Sequence, residues 1–178
     1  MPDSKKRYRW RAYLDDFQMD ATGKYIYTGK HYSFVGDARE RKVYFAKLIV
    51  CGAVALIATV APECLPPTDI SRTPVALLPW ALQLIAVLVA SWSLFRILTH
   101  ATETREYVYK ATVPTLPAKS MISAILAAVT TICQVVYLSV NGLTVDGYTA
   151  ARLVGPPIAA TAEVFLFFTA RAGKWEVK

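Results

Sequence analysis

Four apolar runs constrain this chain more than any other feature. Residues 43–61, 75–98, 121–141 and 150–170 are each about 20 residues long and nearly free of charge. A helix rises about 1.5 Å per residue, so each run reaches across roughly 30 Å of hydrocarbon. A water-soluble chain of 178 residues would break its apolar residues into short amphipathic stretches instead. Here 54% of the residues are hydrophobic and 19% charged, and the charge is concentrated in the first 42 residues. The fold class that follows is an all-α membrane protein, a four-transmembrane-helix bundle behind a short basic and aromatic cytoplasmic segment. The chain divides into that segment, residues 1–42, and a transmembrane domain, residues 43–178.

The N-terminal segment opens with Lys5, Lys6, Arg7, Arg9 and Arg11 around an aromatic stripe. Trp10, Tyr13, Leu14 and Phe17 recur at the spacing of one helix face. An amphipathic basic helix of this kind suits the headgroup layer of an anionic leaflet. No nucleic-acid recognition motif accompanies the charges, so nucleic acid is not an expected partner. Further on, the triplet Thr22-Gly23-Lys24 returns as Thr28-Gly29-Lys30, with Tyr25, Ile26 and Tyr27 between. Glycine turns flanking β-favouring residues predict a short hairpin or strand–turn–strand over 18–34. The spacing departs from a phosphate-binding loop, because Thr28 stands where the second glycine is needed and His31 follows Lys30. No apolar stretch follows directly on the basic start, so this segment is not read as a signal peptide.

Lysine and arginine counts predict the orientation. The tail to Lys42 holds ten, the connection 99–120 holds three, and the stretch after 170 holds three; the opposite side holds only Arg72 and Arg152. Both termini are expected in the cytoplasm, in a multi-pass protein of the plasma (inner) membrane. The favourable order of Glu106 and Lys110, four residues apart, predicts that the second helix continues into water as far as Pro114.

In lipid, small residues and buried polar groups, rather than apolar faces, bring helices together. Each run carries such a stripe: Lys47, Cys51, Ala55 and Ala58; Gln83, Ala86, Ala90 and Ser93; Ala124, Ala127, Thr131 and Gln134; Gly155, Ala159 and Glu163. By helical rise, Glu163 lies about 10 Å, Lys47 about 6 Å and Arg96 about 3 Å inside the cytoplasmic boundary. Gln83 and Gln134 lie about 10–12 Å from the opposite boundary. The expected interior is an ionic cluster of Glu163 with Lys47 or Arg96, and an amide pair, Gln83 with Gln134. Gly155-Pro156-Pro157 is expected to break or kink the last helix.

These features predict a protein that acts through contacts, as an accessory, assembly or anchoring subunit with a membrane-protein partner or a second copy of itself. The competing reading is a small oligomeric transporter or channel in which Glu163 handles a proton or cation. An intramembrane enzyme is the weakest of the three. His31 and His100 lie outside the runs, and no nucleophile–base pair, catalytic residue or metal-ligand spacing is legible. Cys51, Cys64 and Cys133 make no paired motif, so disulfide chemistry and cofactor attachment are not expected.

Overall fold

The structure, a computed structural model, describes residues 17–19, 25–27, 29–100, 104–142 and 145–177. Strands β1 (Phe17–Met19), β2 (Tyr25–Tyr27) and β3 (His31–Phe34) precede helix α1 (Ala38–Val60). Two 3₁₀ turns, Ala61–Cys64 and Ile70–Arg72, lead to α2 (Pro74–Thr99). Strand β4 (Thr104–Arg105), a short helix α3 (Glu106–Thr112), α4 (Leu116–Asn141), α5 (Gly147–Ala172) and strand β5 (Trp175–Val177) follow.

Four helices are long and apolar enough to cross a membrane, and each extends a little beyond its apolar run. Local chemistry sets these ends. Before α1, the Asp37 amide donates to Glu40 Oε2 at 3.3 Å, a capping box that satisfies an orphan donor of the first turn. Pro74 opens α2, where its missing N–H costs nothing. The left-handed Gly142, φ 59°, closes α4. Asp146 caps α5 by accepting from the Thr149 amide at 2.8 Å.

Each long helix packs on its sequence neighbours, and α5 closes against α1. The bundle is therefore an up-and-down ring in the order α1, α2, α4, α5. Its inside and outside are inverted relative to a soluble bundle. Small and polar residues such as Ala55, Ala127, Ser120 and Gln83 are fully buried, while Trp92 is 64% and Phe165 61% exposed. A continuous apolar exterior of this extent is stable only against lipid. The chain is a multi-pass membrane protein.

One end of the ring carries a three-stranded antiparallel sheet in the order β4–β3–β5. His31 lies opposite Arg105, and Phe34 opposite Trp175. The N-terminal segment, the α2–α4 connection and the C-terminal stretch thus meet at one end. Six aromatic rings seat the sheet on the helices. Tyr32 stacks on Tyr109 at 4.0 Å, Phe34 stacks on Tyr44 at 4.7 Å, and Trp175 meets Phe34, Phe45 and Tyr109. Beneath lies an apolar core that includes Leu48, Leu94, Ile97, Leu116 and Leu166.

The structure departs from the expected elements at three places. The second helix does not continue to Pro114: it ends at Thr99, and the Glu106–Lys110 ion pair forms on the separate helix α3. The reason is β4, whose pairing with β3 requires extended backbone at Thr104 and Arg105. Phe17 opens a strand that pairs with Tyr27 rather than completing an amphipathic helix. The rest of that expected helix, with Lys5, Lys6, Arg7, Arg9, Trp10 and Arg11, lies outside the described residues. Finally, of the break or kink expected at Gly155, Pro156 and Pro157, the break does not occur, because α5 runs through them. Thr161 Oγ1 donates to the Pro157 carbonyl at 2.9 Å, one local bond that accompanies the uninterrupted turn.

Candidate functional site

The interior of the ring is a file of polar groups carried mainly by α4. Its inward face reads Leu116, Ser120, Ser123, Ala127, Thr130 and Gln134, all buried. These positions are three or four residues apart, so they line one side of the helix. Hydroxyls inside lipid-embedded helices commonly bond back to the carbonyl four residues earlier. Thr130 Oγ1 does so to Leu126 at 2.9 Å, and Thr59 Oγ1 to Ala55 at 2.8 Å.

Glu163 projects from α5 into the half of this file nearer the sheet. It is 1% exposed. Gly155 and Ala159 on the same face are small enough to let α5 approach its neighbours, which draws the acid inward. Ser123 of α4 lies against the carboxyl. Neither Glu163 Oε2 nor Ser123 Oγ has a hydrogen-bond partner among the described residues. An ionised carboxylate at this depth costs several kcal/mol unless a cation or donors meet it.

The expected ionic cluster does not assemble. Lys47 is exposed, because the buried face of α1 runs through Phe45, Leu48, Gly52, Ala55 and Thr59. That face shares Ala55 with the expected stripe of Lys47, Cys51, Ala55 and Ala58 but otherwise runs one residue further along, since Phe45 and Leu48 fill the apolar core under the sheet. Arg96 is half-buried near the end of α2, with Lys119 rather than a carboxylate close by. Lys119 Nζ donates to Ser93 Oγ at 2.6 Å. The expectation placed Lys119 in a loop, but α4 begins before it, at Leu116.

Gln83 and Gln134 are both buried at the other level, yet no hydrogen bond joins them among the described residues. Gln83 Nε2 donates to Thr59 Oγ1 at 3.1 Å, and Trp80 Nε1 donates to the Thr59 carbonyl at 3.1 Å. These bonds tie α2 to α1. Gln134 instead borders a void of about 10 Å³ shared with Trp80, Glu63 and Arg152. Both amide oxygens lack a partner among the described residues.

The strongest polar construction is one that spacing did not reveal. Arg152, in the second turn of α5, is 2% exposed. Its guanidinium donates to Glu63 Oε2 at 3.2 Å, to the Leu65 carbonyl at 3.1 Å, to the Pro66 carbonyl at 2.9 Å and to Thr68 Oγ1 at 3.2 Å. A planar fork of five donors fits such a convergence of acceptors. The signal in the sequence was one arginine at the start of a span opposite a proline-rich connection that holds Glu63.

The interior therefore offers two levels: a carboxyl–hydroxyl pair, Glu163 and Ser123, and an amide level closed toward the far end by Arg152. No protein-family model matches the chain, and neither a curated protein nor a solved structure matches it.

Proposed function

We propose that this protein is a non-catalytic membrane subunit that acts through contacts, assembling or anchoring a partner, or a second copy of itself, at the bilayer. The observation that supports this reading best is the sheet at one end of the ring. Three segments distant in sequence converge there, and β5 is an edge strand of that sheet. An edge strand offers backbone donors and acceptors to an incoming strand. The lysine and arginine excess favours a cytoplasmic location for this end, and hence for both termini, in a plasma (inner) membrane. The basic residues 5–11 would then face anionic headgroups.

Purification in mild detergent followed by intact-complex mass spectrometry tests the proposal. A stoichiometric partner or a dimer is expected. A bare monomer, with no partner crosslinked in native membranes either, would end this reading.

A specific observation favours a second reading, a small oligomeric transporter or channel. Glu163 Oε2 lies in the interior with no cation beside it and no hydrogen-bond partner among the described residues. In this reading Glu163 is the proton- or cation-handling group and the α4 file is its path. Liposomes that show a pH-dependent flux, abolished by Glu163→Gln with insertion intact, would support it. Equal flux in both proteins would remove it.

A further inference from the structure

The outer surface between α1 and α5 carries an apolar trough that neither reading uses. One lobe, of about 390 Å³, is bordered by Val50, Cys51, Val54, Ile158, Thr161 and Phe165. A second, of about 550 Å³, continues from it past Ile57, Ala58, Pro62 and Gly155. Val54 and Ile158 border both, so the lobes form one groove. It exists because the seam is made of small residues, Cys51, Ala58, Gly155 and Ala162, while the bulky side chains stand to either side.

At the sheet end the groove meets a charge. Lys47 is one helical turn before Val50 and Cys51, on the same face of α1. It is exposed and has neither a hydrogen bond nor an ion pair among the described residues. One turn earlier, the Tyr44 hydroxyl lies on Gly173, and exposed Lys174 follows. Along α1 the distance from Lys47 past the groove to Ile57 is about 15 Å by helical rise, close to half of a hydrocarbon core of about 30 Å.

We infer that this groove binds one phospholipid with a net negative head group, its acyl chain along the α1–α5 seam and its phosphate at Lys47. A second copy of the chain fits the groove poorly. The sole carboxylate within the four apolar runs is Glu163, which is buried, so no exposed acid at that depth could meet Lys47. A two-fold contact through this face would also bring the two Lys47 residues toward each other. A lipid phosphate supplies the missing charge at the depth that a lysine side chain reaches by extending toward the interface.

The test is native mass spectrometry of the purified, delipidated chain titrated with dioleoyl-phosphatidylglycerol or dioleoyl-phosphatidylcholine. One phosphatidylglycerol per chain is expected to be retained in preference to phosphatidylcholine. Lys47→Gln should weaken phosphatidylglycerol about fivefold, the attraction of one basic side chain at a lipid surface, and weaken phosphatidylcholine less, because its choline cation offsets the phosphate charge. Thr161→Phe changes an exposed position and fills the first lobe, so it should weaken both lipids. Circular dichroism melts establish that both variants are folded. Equal retention of the two lipids, an unchanged preference in Lys47→Gln, or unchanged binding in folded Thr161→Phe would each overturn the assignment. A chain that dimerises through this face and takes up no lipid would overturn it as well.

Discussion

Arg152 Nε and Glu63 Oε2 stand 3.2 Å apart across the end of the ring opposite the sheet, joining the start of α5 to the turn that follows α1. Three further bonds from the same guanidinium hold the 65–68 backbone and Thr68. This one side chain fixes a proline-rich connection that has little regular structure of its own.

Arg152→Ala would leave Glu63 and two carbonyls without their donor. Breaking one partner of a buried pair costs about 3–5 kcal/mol, so a large fall in the detergent melting temperature is expected. Arg152→Lys should recover only part of it, because an ammonium cannot reach four acceptors in a planar fork. Glu63→Gln should cost less than either, since an amide oxygen still accepts from Nε. A thermal melt of the three variants in one detergent checks the order.

Gly155 lets α5 lie close against α1. A Cβ at this position would stand 2.6 Å from the Ala58 carbonyl oxygen and 2.7 Å from Pro62 Cγ. The first obstacle is backbone, which cannot rotate away. Gly155→Ala should destabilise the bundle by about 1–3 kcal/mol, the usual cost of overpacking. Disulfide trapping between cysteines introduced on α1 and α5 should slow as the seam opens. An unchanged melt and unchanged trapping would show that the two helices can separate freely.

Asp146 makes the start of α5 sensitive to acid. The Thr149 hydroxyl and amide hold its carboxyl below the ordinary carboxylate value. A lowered folded value means the cap is fully present above the ordinary pKa, about 3.9. Its contribution is lost as pH falls through the lowered value. Hydrogen exchange at the Thr149 amide should therefore gain less protection at low pH than at neutral pH. Asp146→Asn, which caps without ionising, should show protection that does not change over the same range.

Trp175 ties the sheet to the bundle. Its ring meets Phe34, Phe45 and Tyr109 at 5.9–6.4 Å between centroids. Trp175→Ala removes these contacts and a large half-buried surface, at a cost on the order of 2–3 kcal/mol. The loss should be local. Protease cleavage around residues 29–37 should accelerate while the four helices remain inserted, as limited proteolysis of membranes would show.

The four spans were legible because hydropathy is a property of the sequence alone. A run of about 20 apolar residues has few alternatives to a transmembrane helix. The positions of Gly155, Ala159 and Glu163, four residues apart, likewise mark one face of a helix whatever surrounds it. What the sequence could not settle is the rotation of a helix that is apolar all round. In lipid both faces of α1 are tolerated, so packing decides, and Phe45 and Leu48 turn Lys47 outward. That rotation separates Lys47 from Glu163. The sheet was hidden in part: β3 lies within the stretch 18–34 expected to be strand–turn–strand, but its partners β4 and β5 are two and three residues long and lie far away in the chain. Strands this short carry no periodic signal, and they form only because the helix ends bring them together. The same holds for Arg152, whose four acceptors exist as a site only once the connection has folded around it. Composition and run length determined that this chain lives in a bilayer as four helices. The tertiary structure alone decided which polar groups meet inside them, because that depends on helix rotation and loop closure rather than on any local preference.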